Sequence, residues 1–75
     1  GGAAAGVLLY SPRTAALFRD LLLAAGLDGF VENLTAFCLS ANVAARAGAG
    51  WRRVVVAARP TEPSLMDAVA DWAAE

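Results

Sequence analysis

Residues 7–15 read Val7-Leu8-Leu9-Tyr10-Ser11-Pro12-Arg13-Thr14-Ala15. An apolar run without polar alternation passes straight into a helix start. Ser11 can cap free N–H groups, and Pro12 has the fixed φ and missing N–H that suit the first helical position. Backwards, the apolar run reaches Ala3, so a strand is expected over residues 3–10. Forwards, Ala15, Phe18, Leu22 and Ala25 fall on one helical stripe with Leu21 beside it, while Arg13, Arg19 and Asp20 lie off it. Gly26 supplies the stop for a helix over 12–25. A short continuous apolar run joined to such a helix suits a strand covered on both faces, as in parallel sheets.

The same unit recurs twice. Residues 34–39, Leu-Thr-Ala-Phe-Cys-Leu, lead through Ser40 into a helix over 41–47 that Gly48 closes. Residues 54–58 lead through Arg59-Pro60-Thr61 into a helix over 62–74. Leu65, Val69 and Trp72 make its apolar face, with Asp67, Asp71 and Glu75 outside. The order β-α-β-α-β-α predicts an α/β fold of three layers with a parallel sheet. Helical crossovers most simply join parallel strands, and such crossovers are right-handed in nearly all cases.

Composition narrows the function. Apolar residues make up 59% of the 75 and charged ones 17%, the reverse of a disordered chain. Seven acids against six arginines, with no lysine or histidine, exclude the usual basic nucleic-acid binder and any imidazole chemistry. One cysteine, Cys38, excludes an internal disulfide and a paired-cysteine zinc site. No run approaches the roughly 20 apolar residues that span a bilayer. The Gly/Ala-rich start has no initiator Met and does not read as a signal peptide. The expectation is a piece of a larger cytoplasmic protein.

Each predicted strand ends in a hydroxyl-bearing turn, at Ser11 and Thr14, at Ser40 with the amide of Asn42 beside it, and at Thr61. In open α/β sheets ligands bind outside the carboxyl ends of the strands, where helix N-termini favour anions. Arg13 and Arg59 fall at the same junctions, and guanidinium groups grip carboxylates or phosphates through paired hydrogen bonds. The residues support two readings: simple helix caps with a solvated Arg13, or caps that also meet a polyanionic ligand. Arg52 and Arg53, before the third strand, read as surface charge at the opposite edge. Cys38 reads as a small core residue rather than a nucleophile, Trp51 as packing at a turn, and Trp72 as core or a contact with further structure.

Three strings then resemble, in order, turns of the C-terminal portion of uroporphyrinogen-III synthases, bacterial members above all. They are Val7-Leu8-Leu9-Tyr10-Ser11-Pro12-Arg13-Thr14-Ala15, Ala36-Phe37-Cys38-Leu39-Ser40 with Val43-Ala44, and Val54-Val55-Val56-Ala57-Ala58-Arg59-Pro60-Thr61-Glu62 with Leu65. The resemblance implies one part of a lobe from an enzyme with two similar α/β lobes facing each other across a cleft. Such an enzyme needs no cofactor or metal. It closes hydroxymethylbilane into uroporphyrinogen III, losing water and inverting the last pyrrole ring, by holding the reacting ends in place. Ser11 and Pro12 match a substrate-facing loop of the family, and Ser40 matches the second turn in part. Where many members have threonine this chain has Val43, so Ser40 or Asn42 would supply the hydrogen bond. The implied substrate-binding set is Ser11, Arg13, Thr14, Ser40, Asn42 and Arg59. The implied partners are the tetrapyrrole substrate and the rest of the same enzyme as facing lobe, with no nucleic acid or membrane. The rival readings are a non-catalytic anion- or nucleotide-binding module, and an interaction fragment whose sheet edge pairs with another chain.

Overall fold

A computed structural model describes residues 5–75, so the expected strand start at residues 3–4 lies outside the described residues. The elements follow the expected order: β1 Ala5–Leu9, α1 Pro12–Ala24, β2 Leu34–Cys38, α2 Ala41–Ala47, β3 Arg53–Val56 and α3 Glu62–Ala73. A 3-10 segment, Asp28–Asn33, precedes β2 and was not foreshadowed by any apolar period. The strands pair in the order β1-β2-β3, all parallel, with Val7 opposite Ala36 and Ala36 opposite Val54. The fold is therefore a small three-layer α/β unit.

Alternation along the strands divides the core in two. Leu9, Ala36 and Cys38 face α1 and α2, where Ala15, Val43 and Ala47 pack against them. Phe37 faces the other way, onto Leu65 of α3 and Ala57 beyond β3. Trp72 meets Phe37 edge to face at 5.2 Å between ring centres and packs, partly buried, against this cluster, the first of its two expected readings. Trp51 stacks on Phe18 at 5.9 Å, and its Nε1–H donates to the Ala47 carbonyl at 2.9 Å.

Coverage on both faces holds for β2 alone. All five of its residues are buried, whereas Leu8 and Tyr10 near β1 and Val54 and Val56 of β3 remain about two-fifths exposed. The reason is geometric: β1 and β3 are the two edges of a three-stranded sheet. One of its faces carries two helices and the other carries α3, which packs on β2 and β3.

The stops are local chemistry. Gly26 takes φ +72° after α1, while Leu27 N–H donates to Leu22 O at 2.8 Å and Gly26 N–H to Leu23 O at 3.1 Å. Both bonds satisfy carbonyls that the helix end would otherwise orphan. Gly48 closes α2 at φ +80°.

Arg19 departs from the sequence expectation. Off the apolar stripe, it nonetheless lies largely buried, with 17% of its side chain exposed. Its Nη1 donates to the carbonyls of Ala47 and Ala49 at 3.0 and 2.7 Å, and Nη2 lies 2.8 Å from Asp28 Oδ1. One guanidinium thus ties α1 to the end of α2 and to the 3-10 segment.

Candidate functional site

The parallel order brings the three strand-to-helix turns to one edge of the sheet, with Ser40 between Ser11 and Thr61. Every expected cap forms. Ser11 Oγ accepts from Thr14 N–H at 3.1 Å, Ser40 Oγ from Val43 N–H at 3.4 Å, and Thr61 Oγ1 from Ser64 N–H at 3.4 Å. Ser64 Oγ in turn accepts from Arg59 N–H at 3.0 Å, which fixes the last turn.

Capping does not use every hydroxyl equally. Ser11 donates its own proton to Thr14 Oγ1 at 2.9 Å. That leaves the Thr14 hydroxyl, on an exposed residue, as the donor free to meet a ligand. Asn42 is likewise exposed in the first turn of α2. Val43 is 1% exposed and packs in the core, so its position offers nothing polar at the rim.

Charge is distributed less simply than the junctions suggest. Arg19 and Arg53 are paired, with Asp28 and Glu75 respectively. The side chains of Arg13, Arg46, Arg52 and Arg59 have no hydrogen-bond or ion-pair partner among the described residues. Arg13 lines a groove of about 540 Å³ with Pro12, Ala16, Leu17 and Asp20 of α1 and Arg46 of α2. Arg59 stands beyond β3, before α3, and does not line this groove. Of the six sequence-derived site residues, the groove takes Arg13, while the turns hold Ser11, Thr14, Ser40, Asn42 and Arg59 along the edge. Arg46 and Asp20 were missed. Arg46 follows Asn42 by four residues and so shares its side of α2, a signal visible in the sequence once the neighbouring helix is known.

Cys38 is fully buried, and that burial pushes its thiol above the ordinary value, which keeps it neutral and inert. Among the described residues no three His, Cys, Asp or Glu side chains gather as a metal would require. No helix among them is long and apolar enough to cross a membrane. Set against protein-family models, curated proteins and solved structures, the chain matches none.

Proposed function

We propose that the carboxyl edge of the sheet binds a polycarboxylate, and that the chain is part of one lobe of a cytoplasmic uroporphyrinogen-III synthase. The observation that carries this reading is the convergence of three capped helix starts on one edge, with the unpaired guanidinium groups of Arg13 and Arg59 nearby. Those turns are the same three strings whose order resembles the synthase family. Ser11, Thr14, Ser40 and Asn42 offer hydrogen bonds to substrate carboxylates, and Arg13 and Arg59 offer charge. The histidine-free composition suits a reaction that rests on positioning the ends of hydroxymethylbilane rather than on acid–base groups. A second lobe would close the cleft from the opposite side.

Ring closure tests it directly. Hydroxymethylbilane cyclises spontaneously to the type I isomer, so the type III isomer reports catalysis. The protein that carries this chain beside a second α/β lobe is expected to yield type III product, and the 75-residue chain alone is not. Arg13→Gln in the two-lobed protein should lower kcat/KM by about tenfold to a hundredfold, the worth of one charge-assisted bond. Arg52→Gln, before β3 at the opposite edge, should leave it unchanged. Only type I product from the two-lobed protein rejects the synthase reading. Equal kinetics of the two variants rejects the carboxylate edge at Arg13.

A further inference from the structure

The groove between α1 and α2 joins Arg13 to features that the sheet edge does not explain. Two guanidinium groups without a partner among the described residues, Arg13 and Arg46, come to it from different helices, and both residues are exposed. Asp20 joins them without pairing with either. Pro12, Ala16 and Leu17 supply an apolar wall, and Leu17 is 56% exposed. Its volume, about 540 Å³, falls in the range of small-molecule sites.

Like charges gathered at one groove repel each other, and a bound anion relieves that repulsion. Two arginines against one aspartate leave a net charge of +1, which matches a single carboxylate better than a dianionic phosphate. Asp20 can only accept hydrogen bonds when ionised, so it asks for an N–H or O–H on the ligand. Arg13 and Asp20 are seven residues apart on α1, about 10.5 Å along the axis. Ala16 and Leu17 of the apolar wall lie between them. The geometry points to a second binding site here, for a flat apolar monocarboxylate whose far end carries an N–H donor. The carboxylate sits between Arg13 and Arg46, the body covers Ala16 and Leu17, and the donor meets Asp20. This site shares Arg13 with the proposed carboxylate edge, but Arg46, Leu17 and Asp20 belong to the helix faces and not to the turns, so variants at those three residues test it apart from ring closure.

The test is a titration of the chain with indole-3-propionate, followed by the Nε–Hε signals of the arginines in nitrogen–proton NMR spectra. Arg13 and Arg46 should shift together and saturate, while Arg59 stays still. Arg46→Gln, a change at an exposed position, should weaken the apparent Kd by at least about tenfold, and Arg46→Lys should restore part of the affinity. Asp20→Asn should weaken indole-3-propionate but leave 3-phenylpropionate, which lacks the N–H, unaffected. Absence of a saturable shift overturns the site, as does an Arg46→Gln variant that binds like the parent. Loss of binding in Arg59→Gln but not in Arg46→Gln also overturns it, by moving the ligand to the sheet edge. A failed ring-closure assay leaves all these outcomes unchanged, so the two readings fail separately.

Discussion

At the scale of single residues, Arg19 is a charge that works for the fold. It offers one fork to three acceptors, the Ala47 and Ala49 carbonyls and Asp28. Arg19→Met keeps the apolar stem but leaves the Ala49 carbonyl without that donor, while Trp51 still serves Ala47. Bonds to a charged group contribute roughly 1.5–3 kcal/mol, so urea unfolding should show a loss of about that size. Arg19→Lys should recover only part of it, since an ammonium cannot span three acceptors in a plane. Full recovery by lysine would mean that charge alone matters. Gly6 makes the opposite case, where a gain in propensity loses to sterics. Alanine in a strand interior is usually better than glycine by roughly 0.5–1 kcal/mol. Here its Cβ would lie 2.6 Å from Cε2 of Phe37, a rigid ring that is 1% exposed and braced by Trp72. Overpacking costs about 1–3 kcal/mol, so Gly6→Ala should destabilise and should perturb the near-ultraviolet signal of Trp72. A more stable variant with an unchanged signal would show that the ring yields freely.

At the scale of elements, the helix starts and stops were legible because their signals are local. Ser11 with Pro12, Ser40, Thr61 with its neighbouring turn, Gly26 and Gly48 each act within a few residues of their own position. What the sequence hid depends on partners far along the chain. Arg19 reads only as lying off the apolar stripe until carbonyls 28 and 30 residues away are known to meet it. The 3-10 segment has too few turns to set up an apolar period, although Val31 within it is buried. The candidate site was legible in the same measure: the turns were visible, but the groove needed the packing of α1 against α2. Ser11 can separate its two roles at this scale. Ser11→Ala removes a cap and should cost roughly 1 kcal/mol, whereas Ser11→Gly should cost only a few tenths. Since Thr14 holds the free hydroxyl proton, Thr14→Val should reduce carboxylate binding more than Ser11→Gly does. The reverse order would return the contact to Ser11. The clasp between β3 and Glu75, just beyond α3, carries a pH signature. Glu75 accepts from Arg53 at 2.8 and 3.0 Å, a hydrogen-bonded pairing that holds its carboxyl below the ordinary value. A lowered folded value stabilises above the unfolded pKa, and the contribution disappears as pH falls through the folded one. Glu75→Gln should therefore flatten the acid limb of stability and remove part of its salt dependence. An unaltered acid limb would show that the clasp opens in solution.

At the scale of the whole molecule, stability is graded from the centre of the sheet outwards. β2 is hydrogen-bonded on both sides and buried along its length, while β1 and β3 each keep one edge unpaired among the described strands. A chain of this size buries a modest fraction of its surface, so the separation between local and global opening is small, yet its order is fixed by the topology. Amides of β2 should exchange with solvent only through global unfolding, and the outward-facing amides of β1 should exchange first. Cys38, at the end of β2 and fully buried, reports the same event through its thiol. Its pKa is raised by burial, so the neutral thiol stabilises the fold below the unfolded value, and that contribution is lost as pH rises through the folded one. Two consequences can be measured together. Native protein should react with a thiol-specific disulfide reagent more slowly than urea-unfolded protein, the ratio of native to unfolded rate equalling the unfolding equilibrium constant when reclosing is fast. Protection should also decline on the alkaline side more steeply than in a control thiol placed on the exposed face of α3 by Asp67→Cys. If Cys38 instead reacts at the rate of the unfolded chain, the carboxyl end of β2 is open without unfolding. The central strand would then not be the last part of the sheet to yield, and the carboxyl edge could not hold three helix starts in fixed register for a ligand.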